Sequence, residues 1–62
     1  MELVSTYFNY RYSANVFYTD GTPPYIVYYL ISGMIQKYET FEIYDEANAS
    51  AEAWAFSEVI EA

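Results

Sequence analysis

The chain has no cysteine and no histidine, and only two basic residues, two glycines and two prolines in 62 positions. Each scarcity excludes something. Without Cys there is no disulfide framework and no thiolate metal site. Without His the commonest general base at neutral pH is missing, and the Ser and Thr hydroxyls lack the base that would activate them. Carboxylate pairs could do glycosidase-type chemistry, but so short a chain has little room for a pocket that encloses a substrate. These absences point to a protein that is not an enzyme and carries no cofactor. Two basic residues against nine acidic ones leave little to neutralise phosphate, so direct nucleic-acid binding is not expected. The longest apolar run, Tyr25–Ile31, is far too short to span a bilayer. Met1 is not followed by a basic and then apolar leader. The expected setting is cytoplasmic, with no membrane partner.

What is present is apolar and aromatic. Hydrophobic residues make up 55% and aromatics 23%, including nine Tyr, which separates the chain from aromatic-poor acidic disorder. One folded domain over residues 1–62 is predicted. A domain this small is marginal alone, so a partner or a second copy is a natural supplement.

Charge is unevenly placed. Seven of the nine acidic residues, Glu39, Glu42, Asp45, Glu46, Glu52, Glu58 and Glu61, follow residue 38, and no basic residue accompanies them. Before them Glu2 and Asp20 cancel Arg11 and Lys37. A neutral Tyr-rich body thus carries a strongly negative C-terminal end, which repels phosphate and attracts basic surfaces.

Patterning predicts an α+β fold: a four-stranded antiparallel β-meander with one C-terminal α-helix packed on one face, ββββα. Val4–Tyr12 alternates with period two, placing Val4, Thr6, Phe8, Tyr10 and Tyr12 on one side of a half-buried strand. Ser13-Ala14-Asn15 reads as a three-residue hairpin loop and Val16–Thr19 as a short second strand, which pairs Tyr12 with Val16. Asp20-Gly21-Thr22-Pro23-Pro24 breaks the chain. Tyr25–Ile31 is a third strand, apolar on both faces, so either both faces are covered or one is an exposed aromatic surface. Ser32-Gly33 is a two-residue turn that pairs Ile31 with Met34, Leu30 with Ile35 and Val27 with Tyr38. In the fourth strand, Met34–Tyr44, Lys37 and Glu39 share a face with Ile35, Phe41 and Ile43, and pairing or a rim position would accommodate them. From Asp45 the chain is Ala-rich and lacks Pro and Gly, a helix with Asp45 or Ser50 as N-cap. Its expected sheet-facing stripe is Ala49, Ala53, Phe56 and Ile60, with Trp54 about 130° away at 100° per residue.

Candidate functional residues follow from charge and aromaticity. Glu42, Asp45 and Glu46 resemble an oxygen-ligand cluster, but they lack the spacing of a calcium loop and sit where acidic residues complement a helix dipole; no metal site is expected. Glu42, Asp45, Glu46, Glu52, Glu58 and Glu61 would supply the charge of a partner-binding surface. Trp54 and Tyr44 would be its anchors, since Trp and Tyr are preferred at interfaces. Trp54 could instead fold over the end of the sheet. An exposed Tyr face on the sheet, made of Tyr7, Tyr38 and Tyr44, would act as a similar anchor.

No family motif is present. In composition the chain, tiny, acidic, aromatic and free of Cys and His, resembles the small host-takeover and anti-defence proteins that phages encode, including anti-CRISPR and anti-restriction inhibitors. The resemblance implies a non-catalytic inhibitor acting in a host cytoplasm, bound to a protein with a basic surface, such as a nucleic-acid-handling complex, and blocking that surface. The alternative is a homo-oligomeric assembly module, a homodimer for example, that buries the Tyr-rich sheet face and Trp54.

Overall fold

The computed structural model describes residues 1–56. Strands β1 (Glu2–Asn9), β2 (Tyr12–Tyr18), β3 (Tyr25–Ile31) and β4 (Met34–Phe41) form one antiparallel sheet in sequence order, and helix α1 (Tyr44–Phe56) packs on one side of it. This is the α+β meander with a terminal helix that the patterning predicts.

The first hairpin turns earlier than its composition suggests. The loop is Tyr10-Arg11, with Asn9 opposite Tyr12, Tyr7 opposite Ala14 and Ser5 opposite Val16. Ser13-Ala14-Asn15 therefore lies within β2. The gain is in packing: Ala14 is wholly buried beneath the helix, and Asn15 Oδ1 accepts a 2.6 Å hydrogen bond from Thr6 Oγ1 across the strands. The new register turns β1 over. Ser5 and Tyr7 face the helix, while Thr6 and Phe8 lie on the other side of the sheet. A register shift at Val4 returns Leu3 to the Phe8 side, opposite Phe17. The loop has a conformational cost, because Tyr10 is held at φ 58°, a region that disfavours residues with a Cβ.

The second hairpin follows expectation at its turn and departs from it beyond. Ser32 (φ 53°) and Gly33 (φ 83°) meet the positive-φ demand of a type I′ loop, and Ile31 and Leu30 pair with Met34 and Ile35. Further along, Tyr29 pairs with Lys37, and Val27 pairs with Glu39 rather than Tyr38. Gln36 is the extra residue of a β-bulge. The bulge sends Ile35 to the side away from the helix, so it does not share a face with Lys37, Glu39 and Phe41. β4 also ends at Phe41, short of the predicted Tyr44; Ile43 lies in the link to the helix and is exposed. Two backbone bonds tie the ends of the meander. Ser32 N–H donates to Arg11 C=O and Thr19 N–H to Pro24 C=O, both at 2.7 Å. The Thr22–Pro23 peptide between β2 and β3 is cis.

Helix α1 begins with Ala47 N–H donating to Ile43 C=O at 3.1 Å. It thus starts before the predicted caps Asp45 and Ser50, and Asp45 and Glu46 occupy its first turn, where negative charge offsets the exposed N–H groups. The stripe against the sheet is Ala47, Ala51 and Ala55, all wholly buried. The predicted stripe is wrong in phase: Ala49, Ala53 and Phe56 are exposed, and Ile60 is outside the described residues. Both stripes are Ala-rich, so hydropathy barely distinguishes them. The deciding feature is the sheet surface, where Tyr29 and Tyr12 project and only a helix face of small residues can approach closely.

The core between sheet and helix is Ala14, Val16, Val27, Tyr29, Ala47, Ala51 and Ala55. Tyr7, Tyr25, Phe41 and Trp54 close its rim. Among the described residues, the only buried side chains larger than a methyl group are Val16, Val27 and Tyr29. The opposite face of the sheet carries Leu3, Phe8, Phe17, Ile26, Tyr28, Leu30, Ile35 and Tyr38, and no described element lies over it. Among the described residues no helix is long and apolar enough to cross a membrane.

Candidate functional site

The acidic residues of the helix side are held by the link after β4 and by α1. Glu42, Asp45, Glu46 and Glu52 are all exposed. Asp45 and Glu52 are seven residues apart, which places them about 20° apart around the axis and about 10 Å apart along it. Together they lie on one exposed flank of the helix, about 110° round from the centre of the Ala47, Ala51 and Ala55 stripe. Glu46 is about 100° further round. Glu42, Asp45 and Glu46 do not converge: among the described residues no three acidic side chains are placed to share a metal ion. Glu58 and Glu61, expected to belong to the same surface, lie outside the described residues.

Tyr44 fixes the start of the helix to the sheet. Its hydroxyl is 2.7 Å from Ser5 Oγ, and its ring tilts against Tyr25 at 5.6 Å. The Ser5 bond, followed by one from Asn48, holds the phenol below its usual pKa. The residue remains 37% exposed.

Trp54 stands at the seam between helix and sheet. Its indole N–H donates to Leu30 C=O at 3.1 Å, beside the bulge that interrupts the β3–β4 ladder. Its ring meets Tyr12 edge-on at 5.9 Å and Tyr29 at 5.3 Å. The residue is half-buried, and it folds over the sheet, as one of its two sequence readings anticipates. Lys37 lies against the same aromatic group, its Nζ 5.2 Å from the Tyr29 ring centre and 5.8 Å from that of Trp54. Arg11 lies 5.7 Å from the Tyr12 ring centre. Both basic side chains of the sequence are thus engaged with aromatic rings.

Beneath Lys37, Tyr29, Glu39 and Ser50 form a polar knot. The Tyr29 hydroxyl donates to Glu39 Oε1 at 2.7 Å and lies 2.5 Å from Ser50 Oγ. Ser50 also donates to the same carboxylate oxygen at 3.4 Å. Burial pushes the Tyr29 phenol up to about 12; the Ser50 bond opposes this and Glu39 adds to it. Glu39, one of the seven acids of the C-terminal end, is exposed, but its carboxylate is tied to Tyr29 and Ser50.

The far face of the sheet is a second surface of different character. Phe17 packs edge-on against Tyr28 at 5.6 Å, and Tyr28 against Tyr38 at 5.9 Å. Met1, Asn15, Phe17, Tyr28, Leu30 and Ile35 line a shallow trough of about 280 Å³. The exposed Tyr face does not exist as a unit. Tyr7 and Tyr44 lie on the helix side, and of the three only Tyr38 is on the open face. The signal for this surface was the third strand, apolar on both sides; the bulge and the flipped register of β1, which add Ile35 and Phe8 to it, leave no trace in the periodicity. Comparison of the chain with protein-family models, curated proteins and solved structures gives no match.

Proposed function

We propose that this chain is a non-catalytic binding protein that occupies a basic, nucleic-acid-binding surface of another protein and blocks it. The observation that carries this reading is the run of exposed carboxylates: Glu42 in the link before α1, Asp45 and Glu52 on one flank of the helix and Glu46 further round it, while both cations lie against aromatic rings. A net charge of −7 steers such a chain toward a basic patch and speeds encounter. Tyr44, partly exposed at the start of the helix, gives the interface an aromatic anchor. Glu58 and Glu61 add charge from the segment that follows. Blocking by occupancy requires no chemistry, which suits a sequence without His or Cys. It is also how an anti-CRISPR or anti-restriction inhibitor of the phage type would act on a nucleic-acid-handling complex in a host cytoplasm.

The test is capture from host lysate on the immobilised chain, with Asp45→Lys/Glu52→Lys as the comparison. A nucleic-acid-binding protein retained at low salt, released at high salt and not retained by the charge-reversed variant supports the proposal. Equal retention by both forms, or retention insensitive to salt, rejects the electrostatic mechanism.

A further inference from the structure

We infer that the open sheet face is a homodimer interface, and that two copies stack face to face as a four-layer helix–sheet–sheet–helix particle. The distribution of apolar mass comes first. Four of the seven buried core residues are alanines, so the monomer's interior is thin. On the other side of the sheet large apolar side chains are left in the open: Phe8 is 72%, Tyr38 64%, Ile35 59% and Leu3 53% exposed. An apolar patch of this extent on a soluble chain marks an interaction surface.

Charge selects a second copy as the occupant. The pairing registers place Leu3, Thr6, Phe8, Ser13, Asn15, Phe17, Ile26, Tyr28, Leu30, Ile35, Tyr38 and Thr40 on this face, and none of them is charged. It therefore offers nothing to a basic partner. Two chains of net charge −7 repel unless their acidic sides are kept apart. Stacking through the open faces puts both helices on the outside, with two sheets about 10 Å apart between them. No other arrangement of two copies buries the neutral face and separates the acidic helices as far.

The area approaches what a specific interface needs. Four strands spaced about 4.8 Å and seven to eight residues long at about 3.3 Å each give a face of roughly 19 by 25 Å. That is about 480 Å² in plan per copy and about 950 Å² for the pair before side-chain relief is counted, close to the roughly 1,000 Å² a specific interface needs. The trough over β2 and β3, bordered by Ile35 and Met1, gives each face relief into which projecting side chains of the other can seat.

The experiment is sedimentation equilibrium of the whole chain over a wide concentration range, at low and high salt. The mass should rise from 7.2 kDa toward twice that value, and association should tighten with salt, because salt screens the repulsion between like-charged copies. Binding to a basic partner has the opposite salt dependence, so failure of one proposal does not imply failure of the other. Phe8→Lys/Tyr38→Lys places charge at two highly exposed positions and should weaken dimerisation by about 100-fold or more by burying unpaired charge; circular dichroism checks its fold. Glu52→Lys, on the outward side, should leave the dimer intact. Should the double variant not fold, a thermal midpoint of the wild type that rises with concentration carries the same information. A monomer mass at every concentration, or an unweakened dimer in the folded double variant, overturns the inference.

Discussion

At the scale of single residues, Tyr29 and Trp54 connect helix to sheet, and each gives a separate prediction. Burial favours the neutral Tyr29 phenol, whose folded pKa is about 12 against an ordinary 10.0. Between these values the unfolded chain has lost the proton and the folded chain keeps it. The unfolded state then binds fewer protons, so stability falls as pH rises. The contribution is present in full below about pH 10 and is lost as pH climbs toward 12. Urea titrations at stepped alkaline pH should show that decline in the wild type and a shallower one in Tyr29→Phe. Trp54→Ala removes a half-buried ring and its bond to Leu30, and should cost about 2–4 kcal/mol in denaturant unfolding. Trp54→Phe keeps most of the packing and should cost about 1 kcal/mol for the lost hydrogen bond. A Trp54→Ala chain of unchanged stability would show that the seam does not depend on this ring.

At the scale of elements, the positions where sequence and structure disagree have physical causes. The third strand and the Ser32-Gly33 turn were legible because an apolar run and a Gly needing positive φ are local signals. The first hairpin was not, since Tyr10-Arg11 lacks Gly, Asn or Asp, and its loop is selected by the burial of Ala14 against a helix more than thirty positions away. Tyr10 supplies the prediction here. Held at φ 58°, it should be improved by Tyr10→Gly, with a gain of about 0.5–1 kcal/mol by thermal or urea unfolding, since Gly enters this region without penalty. A loss of stability would mean the Tyr10 ring contributes more than its backbone costs. The phase of the helix was likewise undecidable from two Ala-rich stripes. Ala51→Leu should distinguish them by destabilising the fold by about 1–3 kcal/mol through overpacking, whereas Ala49→Leu on the exposed side should be close to neutral. The candidate site was partly legible. Glu42, Asp45, Glu46 and Glu52 are exposed, while Glu39 is tied to Tyr29 and Ser50 because the bulge at Gln36 sets the β4 register from Lys37 onward.

At the scale of the whole molecule, the sheet separates two surfaces. One side carries the helix and its carboxylates; the other is uncharged and aromatic. If the open faces pair, each particle presents two acidic helices on opposite poles, and a partner with two basic sites could engage both at once, gaining avidity without new contacts. Glu42 and Glu46 lie off the Asp45–Glu52 flank, in the link and further round the helix, so reversing either alone should slow association modestly, whereas Asp45→Lys/Glu52→Lys should slow it much more and flatten its salt dependence. Stopped-flow association with the captured partner would measure both. The most direct test of the proposed function is competition: fluorescence anisotropy of labelled nucleic acid bound to that partner, followed as the chain is titrated in at low salt. Release of the nucleic acid by the wild type, and none by Asp45→Lys/Glu52→Lys, is the predicted result. Anisotropy that holds steady or rises while the chain binds would mean that chain and nucleic acid occupy different surfaces, and would contradict the proposal.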